Sequence, residues 1–201
     1  MKNVRIWFKK MGMSRYVSHL DLMRAMTRTV RRAKLPLWYT EGFNPHPYVT
    51  FALPLPLGVE SDGEPVDIRL EGDMTNEEVR DRLNETMPEG IEVVDVVDAV
   101  NKPGDIAFAI YHIELRPKEG LADKISAALA SGNLPAEKLG KAGRKKVTKQ
   151  INVSELMGEY SVQNCDDSVF IDIILAAGSQ RNASPFILLE ALSAATGESI
   201  E

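Results

Sequence analysis

Apolar residues alternate along the first segment of the chain. Val4, Ile6 and Phe8 fall on one face of residues 4–10, which read as a strand with one buried side. The period then changes to that of a helix. Leu22, Met23, Met26, Val30 and Ala33 form a stripe after Ser18, a good N-cap, and Asp21 completes a capping arrangement. Pro36 stops the helix, which is expected to reach about Ala33. Arg24, Arg28 and Arg31 recur at spacings of four and three, so they line another face of that helix.

Residues 37–40 read as a short strand, and 48–53 and 65–70 as longer ones, the last with Val66, Ile68 and Leu70 on one face. Thr75, with Glu78 three residues on, caps a second helix expected to reach about Met87. The β-branched run 91–97 closes this half. Residues 101–105 read as a linker. The second half repeats the order with a strand at 108–115 and an Ala-rich helix at 120–130. Strands at 145–153 and 169–175 follow, then a helix opened by Ser184 and Pro185. No final strand is evident. The expectation is an α+β protein of two tandem ferredoxin-like (split βαβ) units with antiparallel sheets, 1–100 and 101–201, the second incomplete.

Charge sharpens this picture. The net charge of −5 hides a polarity: residues 1–34 hold ten Lys or Arg against one acid, Asp21, and the rest holds 14 bases against 28 acids. A basic segment of this kind suits an anionic partner or an acidic protein surface. The single cysteine, Cys165, excludes an internal disulfide and any multi-cysteine cluster, so no cofactor is expected in this chain. No apolar run is long enough to span a membrane, and no signal region is read, so a cytoplasmic location is expected.

The arginine face can meet successive phosphates, because the guanidinium fork matches phosphate oxygens. Lys9, Lys10 and Arg15 are expected to extend it. A second basic cluster comprises Lys141, Arg144, Lys145, Lys146 and Lys149. Between them, residues 38–58 carry five of the 13 aromatics (Trp38, Tyr39, Phe43, Tyr48, Phe51) and four of the 11 prolines. Aromatics beside positive charge suit single-stranded nucleic acid, whose bases stack on them. Phe51 is expected in the core. Phe43, in the turn with Gly42, Asn44 and Pro45, is expected outside. His46 sits between Pro45 and Pro47, which restrict its backbone and make it a candidate acid or base. His19, at the positive end of the first helix, is the other candidate. A metal site is not expected.

Three stretches carry a resemblance: Ser18-His19-Leu20-Asp21-Leu22-Met23-Arg24, with Arg28 and Arg31-Arg32-Ala33; Tyr39-Thr40-Glu41-Gly42-Phe43-Asn44-Pro45-His46-Pro47; and Phe51-Ala52-Leu53-Pro54-Leu55-Pro56-Leu57-Gly58-Val59-Glu60-Ser61. Over 1–70 the chain resembles the radical SAM-linked protein family, a domain of unknown function. Its members occur beside, or fused behind, a cobalamin-binding radical SAM protein. The resemblance implies an accessory role to such an enzyme, in RNA modification. The chain lacks Cys-x-x-x-Cys-x-x-Cys, so the radical chemistry would belong to a separately encoded partner. A looser likeness, of architecture alone, is to CRISPR repeat-processing endoribonucleases.

Three functions fit these residues. One is a non-catalytic RNA-binding or substrate-presenting partner of a radical SAM enzyme. Another is a metal-independent endoribonuclease using His46 or His19. The third is a protein-docking module.

Overall fold

A computed structural model describes residues 1–142, 145–178 and 181–200, with side chains for all of these except 140–142, 145 and 146. Arg144 and the side chains of Lys141, Lys145 and Lys146, part of the second basic cluster, lie outside the described residues. The chain divides into two units, Met1–Ile106 and Ala107–Glu201.

The first unit runs β1 (Lys2–Lys10), α1 (His19–Arg32), β2 (Val49–Phe51), β3 (Ser61–Leu70), α2 (Asn76–Asn84) and β4 (Ile91–Asp98). Its sheet order is β2-β3-β1-β4, with every pairing antiparallel. This is the split βαβ arrangement of ferredoxin-like folds. Register explains the buried face. Val4 stands across from Ile68, and Ile6 across from Val66, so the alternation of two strands coincides. Leu22, Met26 and Val30 of α1 are buried with them. Each such side chain contributes about 1.5–3 kcal/mol by leaving water.

Ser18 caps α1 as expected, its hydroxyl accepting from the Asp21 N–H at 3.2 Å. Met23, expected in the apolar stripe, is instead 37% exposed. It lies one residue past Leu22, about 100° around the helix, and the buried place belongs to Thr29. Helix α2 ends at Asn84, short of Met87. There the Asn84 amide accepts from the Val93 N–H and donates to its carbonyl, at 2.8 and 2.9 Å, which fastens the helix end to β4. Asn101 to Asp105, read as a linker, contains a 3-10 turn (Pro103–Asp105), and the Asn101 carbonyl accepts from Arg5 at 2.8 Å.

The second unit runs β5 (Phe108–Leu115), α3 (Leu121–Ala130), β6 (Pro135–Ala142), β7 (Lys145–Asn152), β8 (Met157–Cys165), β9 (Ser168–Ala176) and α4 (Pro185–Thr196). One antiparallel sheet has the order β5-β9-β8, and β6 pairs with β7 in a separate hairpin. Strand, helix, two strands, helix is the first unit's order with a hairpin inserted after α3. No strand follows α4 among the described residues. Ile125, Leu134, Ile171, Leu175 and Leu188 lie at the heart of its core.

Strands β6 and β8 were not expected. Pro135-Ala-Glu-Lys-Leu-Gly-Lys-Ala has little strand propensity and forms a strand by pairing with β7. Strand β8 lies at a sheet edge and is mostly exposed, so it needs few apolar residues. Among the described residues no helix is long and apolar enough to cross a membrane.

Candidate nucleic-acid interface

Residues 38–48 form an irregular hairpin rather than a regular strand, because Pro45 and Pro47 lack an N–H. Two main-chain hydrogen bonds hold it, from the Tyr48 N–H to the Trp38 carbonyl and from the Thr40 N–H to the His46 carbonyl at 2.9 Å, and together they set Tyr39 across from Pro47. At its base the Arg69 guanidinium packs 4.7 Å from the Trp38 ring centre and 4.9 Å from that of Tyr48. Arg69 also donates to the Asn3 side chain at 2.8 Å, so the hairpin is fixed to the sheet.

The tip turns outward. Gly42 has φ of +123°, a backbone that side-chain-bearing residues rarely adopt. Phe43 beyond it is fully exposed. The His46 Nδ1 lies 3.0 Å from the Asn44 carbonyl and 3.1 Å from the Thr40 hydroxyl, so the ring is held from one side. Phe43, Asn44 and His46 thus share one exposed turn.

Arg24, Arg28 and Arg31 are exposed along one side of α1. Arg24 meets Asp21 at 3.0 Å, a pair in which both side chains are mostly exposed. Such pairs contribute about 0–1 kcal/mol, so this one would cost little to exchange for another anion. The Ser18 hydroxyl, and then Arg24, hold the Asp21 carboxyl below its ordinary value. Arg28 has no carboxylate partner among the described residues. The Arg31 guanidinium lies 5.9 Å from the Tyr39 ring centre, which links the arginine face to the hairpin. Arg32 turns away and donates to the Thr86 carbonyl at 2.8 Å.

Other expected contributors lie elsewhere. Lys10 does not extend the exposed patch. It is 1% exposed, and its Nζ donates to the carbonyls of Arg15 and Val17 at 3.2 and 3.1 Å. It follows Val4, Ile6 and Phe8 on the face that meets the helices, so alternation turns it inward. Burial holds its pKa down, against the pull of Glu64. Lys9 is half-buried, one residue along and so on the other sheet face, across from Glu92. Arg15 is half-buried, pairs with Glu60 at 3.4 Å and packs on Tyr16.

His19 is half-buried. Its ring meets Phe51 edge-on at 5.4 Å, and its Nδ1 is buried without a hydrogen-bond partner. Burial first, then the Lys10 charge, hold its pKa down. Phe51 packs on Phe8, as expected of a core residue. Trp38 and Tyr48 are occupied by Arg69. Among the described residues, no three His, Cys, Asp or Glu side chains gather as a metal site.

Three contacts had no signal that sequence alone could resolve. Arg5 and Asp67 form a buried two-pronged pair at 2.7 and 3.0 Å. His112 and Asp172 stand directly across β5 and β9, with Nδ1 and Oδ1 2.6 Å apart on an exposed face. Lys138 stands across from Lys149, and both line a groove with Arg181. Each depends on strand register or loop position, which local periodicity does not reveal.

Fold and site together define an α+β protein whose ferredoxin-like first unit carries an arginine-lined helix beside an outward-facing aromatic hairpin. The model of a family described as an uncharacterized protein conserved in bacteria (DUF2344) matches residues 3–185, and the chain belongs to that family. No curated protein matches it.

Proposed function

We propose that this chain binds RNA through its first unit as the non-catalytic partner of a separately encoded radical SAM enzyme in RNA modification. Phosphates lie along Arg24, Arg28 and Arg31, and an unpaired base rests on Phe43. The observation that carries this reading is the pairing of Arg28 and Arg31, exposed and without carboxylate partners among the described residues, with a hairpin whose most exposed aromatic ring is Phe43, at its tip. Arginine forks suit phosphate, and an exposed ring suits a base of any identity. The partner half rests on the resemblance over residues 1–70. In this proposal the chain acts in the cytoplasm and holds no cofactor of its own.

Labelled RNA with an unpaired loop tests the binding. The wild type is expected to bind at least about tenfold more tightly than an Arg24→Glu/Arg28→Glu/Arg31→Glu variant. Equally negligible binding by both overturns the reading. Co-purification with the radical SAM protein, with and without nuclease, tests the partner. A complex that survives nuclease while the variant keeps it supports docking by another surface.

A further inference from the structure

The geometry around His46 fixes which of its ring nitrogens carries the proton. Nδ1 lies 3.0 Å from the Asn44 main-chain carbonyl oxygen and 3.1 Å from the Thr40 hydroxyl. A carbonyl oxygen only accepts, so Nδ1 must donate to it. The Thr40 hydroxyl, which already accepts from the His46 N–H at 3.2 Å, is free to turn its own hydrogen elsewhere. With the Nδ1 lone pair facing the carbonyl instead, two acceptors would stand against each other. In the neutral ring the proton is therefore on Nδ1. Nε2 is left with a lone pair, on an exposed side chain, with no partner among the described residues.

The hairpin presents three chemistries in order. Arg31 lies over Tyr39, next out from the base that Arg69 packs, His46 pairs with Thr40 beyond it, and Phe43 stands at the tip. Cation, hydrogen-bond acceptor, aromatic ring is the order that complements phosphate, sugar hydroxyl, base within one nucleotide.

We infer that His46 Nε2 accepts a hydrogen bond from a ribose 2′-hydroxyl, making the hairpin a reader of RNA over DNA. The inference rests on the proposed RNA binding at this site and adds the group that distinguishes the sugar. DNA has no donor at that position, and phosphate has none either. His46 therefore contributes selectivity, whereas the arginines contribute affinity for either nucleic acid.

Two measurements on the full chain test it. Nitrogen-15 shifts of the His46 ring at a pH where it is neutral should show Nδ1 protonated and Nε2 bare. The opposite tautomer overturns the inference whatever the protein binds. Binding of an RNA oligonucleotide and its 2′-deoxy counterpart is then compared. The wild type should prefer RNA by roughly three- to tenfold, the worth of one hydrogen bond. His46→Ala should lose that preference with DNA affinity unchanged, and His46→Gln, which restores an acceptor, should recover part of it. An RNA preference that persists in His46→Ala overturns the inference. So does a preference that follows base amino groups, A and C over U, in both sugars. If neither oligonucleotide binds more tightly to wild type than to the triple arginine variant, the underlying reading fails as well.

Discussion

The Arg31 guanidinium lies over the ring of Tyr39, 5.9 Å from its centre, and ties the last turn of α1 to the hairpin. An exposed contact of this kind contributes about 0.5–1 kcal/mol. It also sets where a bound phosphate would lie relative to Phe43. Each arginine that neutralises a phosphate of a single strand adds about 0.7 to the salt slope of binding. Replacing Arg24, Arg28 and Arg31 together by Ala should therefore lower the slope by roughly two. Affinity measured over a series of salt concentrations checks this. An unchanged slope removes these residues from the interface.

Lys10 predicts the contrary pattern. Its two hydrogen bonds, to the carbonyls of Arg15 and Val17, close the approach to α1. Lys10→Met leaves both carbonyls without that donor, so stability should fall by about 1–3 kcal/mol. The salt slope of RNA binding should stay at the wild-type value. Urea unfolding and the salt series separate the two roles.

Arg5 and Asp67 make the buried ion pair of the first unit, with side chains 11% and 6% exposed. The Asp67 hydrogen bond holds the Arg5 guanidinium more firmly protonated than usual. Arg5→Met strands a buried carboxylate and should cost about 3–5 kcal/mol. Arg5→Met with Asp67→Leu should recover most of that loss, because no charge is left in the apolar site. Unfolding midpoints of the two variants decide it. A double variant as unstable as the single one rules out stranded charge as the cause.

His19 predicts a loss of stability on acidification. Burial and Lys10 depress its folded pKa below the ordinary 6.5. The unfolded chain therefore takes up the proton first. Stability from this group is present above about 6.5 and is lost as pH falls through the depressed value. Glu64 acts in the opposite sense, since burial raises its pKa and its contribution is lost as pH rises. The difference between wild type and His19→Gln isolates the histidine. That difference should shrink between pH 7.5 and pH 5, measured as unfolding midpoints, and a constant difference refutes it.

The first unit was legible because its signals were local. Ser18 and Thr75 announced their helices, and Val4, Ile6 and Phe8 announced their strand. Alternation also held the key to Lys10: the same count that buries Phe8 buries the residue two further on. A lysine at such a position reads as exposed on chemistry and buried on geometry, and two main-chain carbonyls let geometry win. The second unit was less legible because β6 and β8 owe their form to partners. In the site, the outward Phe43 followed from its glycine-and-proline turn. The Arg69 packing between Trp38 and Tyr48 did not, since it joins residues some thirty and twenty positions apart.

The rungs of the hairpin have a kinetic consequence. Immobilising a mobile side chain on association costs about 0.5–1.5 kcal/mol, and ordering a loop costs more. Here Trp38, Tyr39 and Thr40 are matched to Tyr48, Pro47 and His46 during folding itself. A bound ligand would meet a hairpin backbone already ordered, so the remaining ordering cost would fall on exposed side chains such as Arg28 and Phe43. Encounter would then be set by electrostatic attraction, and discrimination between ligands by how long each one stays.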